Sequence, residues 1–386
     1  MKSIPRAVVG ALAAVAFAVS AQTGPVKFAG IMELSGSGAT PGTNFNNGVK
    51  LAVKEINASG GILGRQIVYE PVDTQTNPGV AKALAQKAVD EGAYVIFGPV
   101  HSGSMLVTLP EIQRGGVTDF TGGEAAAITQ QGNPYVFRSS FTQLISMPKV
   151  ARYIKDTVKA GTVAIMYTNN DYGKGGHDAM LKALEAQGIK VAVDVPTDPQ
   201  QVDFAAAVLK VKQANADALF LYTLEEESAR ALRELRKQGY AKPIIGETTA
   251  VSQKTIELAG EAANGMLGHV GLTVDAPEPR IKAFDEKFQK EFKYKSDHNG
   301  MKGYISVYVV KAMTEKIGKF DSKALAEALH GAKISAAQNP GVLMDVAFDK
   351  NGDIDRESFL IRVENGKQQV IATLPPSAAA PTRMRT

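Results

Sequence analysis

The stretch VKFAGIMEL (26–34), SGSGATPG (35–42), TNFNNGVKLAVKEINA (43–58) and SGG (59–61) holds one complete unit of the fold. Its first nine residues are mostly apolar and read as a buried strand. From Thr43 onward, Phe45, Val49, Ala52, Val53 and Ile56 recur at helical spacing on one face, and Gly60-Gly61 ends the helix. A strand, a glycine-rich loop and an amphipathic helix in that order form the repeating unit of an α/β protein with parallel sheets.

The unit recurs along the chain. Strands are expected at 65–72 and 93–97, with helices at 78–91 and 102–114, making a first doubly wound unit. After Phe137-Arg138 a second unit has strands at 162–168, 189–195 and 218–222 and helices at 146–159, 171–187, 201–213 and 226–238. Helices at 280–292 and 302–317 follow, and the Pro- and Ala-rich tail 375–386 reads as disordered. A chain of 386 residues with 44% hydrophobic residues supplies two cores, hence two domains.

Residues 1–21 carry the marks of a cleaved secretory signal. Lys2 and Arg6 precede an apolar run from Ala7 to Val19, and small Ser20 and Ala21 come before polar Gln22. The run is too short for a bilayer span, so the mature chain is expected to begin near Gln22, in the periplasm. The absence of cysteine excludes disulfides, thiolate metal sites, a cysteine nucleophile and lipid attachment through an N-terminal cysteine. Lys and Arg number 43 against 39 Asp and Glu, interspersed, so no nucleic-acid track is expected.

Three motifs invite catalytic or cofactor readings, and simpler explanations win. The 36–42 loop misses dinucleotide spacing by one residue and contains Pro41, so it is expected to line a cleft. Asp349 to Asp355 imitates a calcium loop, but its glycine stands fourth instead of sixth, and Asn351-Gly352 fits a hairpin turn. The five histidines have no metal-ligand spacing, and Ser102 lacks the glycines of a nucleophile elbow. No enzyme, cofactor or metal is expected. The stretch GPVHSGS (98–104) is more productive, because a strand end meeting a helix start presents free N–H groups and a Ser hydroxyl to a carboxylate. The competing reading makes Ser102 a helix cap. A second strand end, FTGGE (120–124), could supply N–H groups to the same anion.

Leu34-Ser35-Gly36, Gly48, the run EINASGGI (55–62), Gly98-Pro99-Val100 with its serines, and Asn170-Asp171-Tyr172-Gly173 stand in order and spacing that resemble the leucine/isoleucine/valine-binding proteins of amino-acid ABC importers. The resemblance implies a type I periplasmic-binding fold, with two doubly wound parallel-sheet lobes joined by a three-strand hinge. Crossovers near 140–142, 267–270 and 346 would assign 22–141 and 270–345 to lobe I, and 142–269 and 346–374 to lobe II. It further implies a monomer that binds a small carboxylate and delivers it to permease subunits in the inner membrane. Ser102 and the segment Gly123, Glu124 and Ala125 would hold the carboxylate, with Tyr172 reaching from the other lobe and Tyr304 lining the pocket. Two family positions differ: a tyrosine is replaced by Leu224, and the acid that binds the α-ammonium by Thr248, with Glu247 one residue away. The Glu225–Glu227 run is another acidic candidate, though Glu226 with Arg230 reads as a solvated helix start. The ligand is expected to be a branched-chain or related amino acid, with an aromatic or other organic acid as the alternative.

Overall fold

The computed structural model describes residues 24–377, so the expected signal segment lies outside the described residues. The first lobe is built on β1 (Val26–Met32), β2 (Ile67–Asp73), β3 (Val95–Phe97), β4 (Thr118–Thr121) and β5 (Val136–Arg138). These five pair in parallel in the order β2-β1-β3-β4-β5. The crossovers carry α-helices except that from β4 to β5, which has only a short 3-10 turn at Ala126–Ile128, and β1, β3, β4 and β5 are buried on both faces, which explains their near-continuous apolar sequence. A column of rings, Phe28, Phe97, Phe120 and Phe137, runs across these strands with successive centroids 5.7, 6.2 and 5.8 Å apart.

The second lobe uses β6 (Thr162–Thr168), β7 (Lys190–Thr197), β8 (Ala218–Tyr222), β9 (Ile244–Glu247) and β10 (Leu267–Val270) in the order β10-β9-β8-β6-β7, all parallel. A short antiparallel pair, β11 (Lys333–Ile334) with β12 (Val346–Ala347), precedes two strands that rejoin the second sheet. These, β13 (Ser358–Glu364) and β14 (Lys367–Leu374), extend it antiparallel beyond β10.

The third passage between lobes comes later than the expected 346. Phe348 packs on Phe120 and Phe137, and Asp353 bonds Arg138 and Thr129, so the chain stays with the first lobe to about 353. Phe348 and Ile354 bridge antiparallel around Asn351-Gly352, and Asp349 accepts from the amides of Asn351 and Asp353. The calcium-like residues therefore make a turn. The expected tail is docked at its start, where the Pro375 carbonyl accepts from Lys149 and the Ser377 amide donates to Asp355.

Helix α1 (Ala39–Ala58) starts four residues before the expected Thr43, because Pro41 sits in the first turn, where its missing N–H costs nothing. It lies against the long helix His298–Ile317 backbone to backbone. A Cβ on Gly48 would stand 1.9 Å from the Gly300 carbonyl oxygen, and one on Gly303 would stand 2.1 Å from that of Phe45. Those glycines set the spacing of the two helices and so the orientation of the second one's first turn.

Candidate ligand site in the interlobe cleft

In each sheet the strand order reverses at one point, between β1 and β3 in the first lobe and between β6 and β8 in the second. Open α/β sheets bind ligands at the carboxyl ends of the strands flanking such a point. Here those edges face one another. Of the helices α1, α2 (Pro78–Asp90) and α3 (Ser102–Gly115), the first lobe brings the starts of α1 and α3 to this edge, while α2 follows β2 and stays away from it; the second contributes the helices starting at Asp171 and Glu225. A cavity of about 40 Å³ lies between them. Thr40 of the first lobe donates to Glu226 Oε1 of the second at 2.9 Å, so the lobes meet at its edge.

Ser102 is the first residue of α3, and His101 occupies the cap position without a side-chain cap bond. Ser102 therefore does not cap the helix, and its hydroxyl instead accepts from the Ala125 amide at 3.3 Å. The amides of Ser102, Gly103 and Ser104 belong to the unpaired first turn, at the positive end of the helix dipole. Of the expected second segment, Glu124 lines the cavity, whereas Gly123 and Ala125 form its backing. The Gly123 amide donates to Thr121 at 2.9 Å, and buried Arg138 donates to the carbonyls of both Gly123 and Ala125. Asp353 in turn holds Arg138 at 2.6 Å. Nothing in the sequence marked Arg138 as the organiser of this loop, because its carboxylate partner, Asp353, lies 215 residues further along the chain.

Glu124 meets Lys302 at 2.6 Å, and the ammonium also donates to the Gly122 carbonyl at 3.2 Å. Both side chains are buried. Burial raises the Glu124 pKa, while Lys302 opposes that rise. Lys302 escaped the sequence reading because the helix was expected to begin there. It begins at His298, and His298, Asn299 and Lys302, at three- and four-residue spacing, all line the cavity. Tyr304, two residues on, points about 200° away around the helix. Its hydroxyl donates to Glu55 at 2.6 Å and its ring packs 4.8 Å from Phe284, so this expected site residue belongs to the α1 contact instead.

From the second lobe, Tyr172, Leu224, Glu225 and Thr249 line the cavity. Tyr172 stacks on Tyr222 at 4.4 Å and its hydroxyl shares a 2.7 Å bond with Thr249. Gln143 locks this arrangement by donating to the Tyr172 carbonyl and the Tyr222 hydroxyl. Glu247 ends β9 opposite His269 of β10, their side chains 3.5 Å apart, and neither Glu247 nor Thr248 lines the cavity. Burial pushes the Glu247 pKa to about 7 and depresses that of His269 to about 3. The Glu225–Glu227 run is not a solvated helix start: Glu225 and Glu227 are buried, and Glu226 bonds Thr40 while Arg230 donates to the Gln201 carbonyl.

Two parallel-sheet lobes closing on a polar cleft at paired switch points define a hinged solute-binding protein. The chain belongs to the periplasmic binding protein family, whose sequence model matches residues 25–368. It is 26% identical over 346 residues to the leucine-, isoleucine-, valine-, threonine-, and alanine-binding protein of Pseudomonas aeruginosa, covering 89% of this chain and 91% of that one. The fold is shared with the branched-chain amino acid transporter substrate binding protein LivJ from Streptococcus pneumoniae in complex with isoleucine: TM-score 0.82, 23% identity, 91% and 100% of the two chains covered. It is equally shared with a solute binding protein from R. palustris in complex with benzoate: TM-score 0.82, 20% identity, 92% and 97% covered. Among the described residues no helix is long and apolar enough to cross a membrane, and no cluster of potential metal ligands is found.

Proposed function

We propose that this protein is the periplasmic, non-enzymatic solute-binding component of an ABC importer, and that it closes on a small carboxylate, foremost an amino acid, and presents it to the permease. The observation that carries this reading is the facing of the two switch-point edges across one cavity. The α3 amides and the Ser102 hydroxyl offer donors to a carboxylate from the first lobe, and Tyr172, Leu224 and Glu225 close over it from the second. A ligand touching both lobes stabilises the closed form relative to the open one, which gives the permease a loaded state to distinguish.

The aromatic-acid alternative is favoured by Tyr172, stacked on Tyr222 behind it, with Val100, Pro41 and Leu224 beside it in the cavity wall, since these form an apolar slot that suits a ring. Mass spectrometry of the solute released from purified protein, followed by calorimetry with amino acids and benzoates in parallel, tests the reading. A bound carboxylate and a smaller radius of gyration on its addition are expected. An unchanged radius at saturation, or a protein that binds neither class, overturns it.

A further inference from the structure

The charged groups lining the cleft do not balance within the protein. Lys302 is matched by Glu124, and burial holds His101 and His298 neutral by depressing their pKa values. Glu225 is left over. It is 1% exposed, it lines the cavity, and its Oε1 has no hydrogen-bond partner among the described residues. Burial pushes its carboxyl well above the usual range, and the acidic neighbours Asp297, Glu226 and Glu227 push it the same way. Such a group is penalised either as an unpaired charge or as an unbonded acid, so the site calls for a donor from outside the chain, and a cationic one also offsets the surrounding acids and lets Glu225 ionise. On the opposite wall, the α3 amides of Ser102 to Ser104 call for an anion.

We propose that Glu225 is the receptor for the ligand's ammonium group, so that the solute is a zwitterion bound with its carboxylate on the first lobe and its amino group on the second. This rests on the reading of the cleft as the solute site. It moves the ammonium contact from the end of β9, where Glu247 faces His269, to the first residue of the helix after β8. Because Lys302 and Glu124 already satisfy each other, neither is free to take over that role without breaking a buried pair.

The test compares wild type, Glu225→Gln and Glu247→Gln by calorimetry with leucine, valine, phenylalanine, benzoate and 4-hydroxybenzoate, with thermal melting run on each variant. Glu225→Gln keeps the size of the side chain and removes the potential charge, so it is expected to melt no lower than wild type. At least one amino acid should bind wild type, and Glu225→Gln should weaken it by 100-fold or more on the order expected for loss of a buried ion pair. Glu247→Gln should weaken it far less. Amino-acid binding lost in Glu247→Gln and kept in Glu225→Gln overturns the proposal. So does tight binding of the benzoates alone, although solute binding would then stand. Folded protein that binds neither class overturns both.

Discussion

Lys302 Nζ and Glu124 Oε1 stand 2.6 Å apart at the cleft wall, joining the second turn of the long helix 298–317 to the loop after β4. Removing one partner strands the other's charge in a buried site. Lys302→Met is therefore expected to destabilise the protein by about 3–5 kcal/mol. The double variant Lys302→Met with Glu124→Leu should recover much of that loss. Urea unfolding of both singles and the double checks this, and additive losses would show that the pair is not coupled.

Ser102→Ala removes a hydroxyl that accepts the Ala125 amide and faces the cavity. Affinity should fall by about 1.5–3 kcal/mol, the range for a hydrogen bond to a charged group. Since His101 holds the cap position, stability should fall by only about 1 kcal/mol, from the lost Ala125 bond. Calorimetry and melting on one variant separate the two quantities, and unchanged affinity would remove Ser102 from the site.

Gly303→Ala places a methyl 2.1 Å from the Phe45 carbonyl oxygen, a rigid backbone atom. The helices must part, and a loss of about 1–3 kcal/mol or more is expected. Lys302 and the cavity-lining His298 and Asn299 ride on the same helix, so affinity should fall as well. A variant with wild-type melting would contradict the close approach.

Glu33 lies beneath α3, fully buried, accepting the Val100 amide at 3.0 Å, and burial raises its pKa from 4.5 to about 7. Between those values the folded protein keeps a proton that the unfolded chain gives up. Its contribution to stability is therefore present below about 4.5 and lost as pH rises to about 7, a change on the order of 3 kcal/mol. Glu33→Gln has no such titration. Its stability relative to wild type should increase between pH 4.5 and pH 8 in urea unfolding, and a constant difference would refute the burial effect.

The lobes and most helices were legible because their causes are local. Apolar runs of strand length, helical spacing in Phe45, Val49, Ala52, Val53 and Ile56, and the stop at Gly60-Gly61 need no distant partner to be read. The serine at a strand-to-helix junction was legible for the same reason: a helix start leaves amides free whatever packs around it.

The inner wall of the site was decided by contacts far apart in the chain. Helical phase set Lys302 against Glu124 and turned Tyr304 towards Glu55, and that phase depended on where the helix began and on Gly48 and Gly303 docking it to α1. Arg138 organises the Gly123–Ala125 loop only because Asp353 returns to meet it. Its place at the end of β9, beside His269 of β10, kept Glu247 out of the cavity, while Glu225 was buried at a helix start that the spacing of Glu226 and Arg230 made look solvated. Sequence determined which elements form, because backbone preferences and hydrophobic period act over a few residues. Only the tertiary structure decided which charges face the ligand, because burial and pairing depend on what the rest of the chain brings alongside.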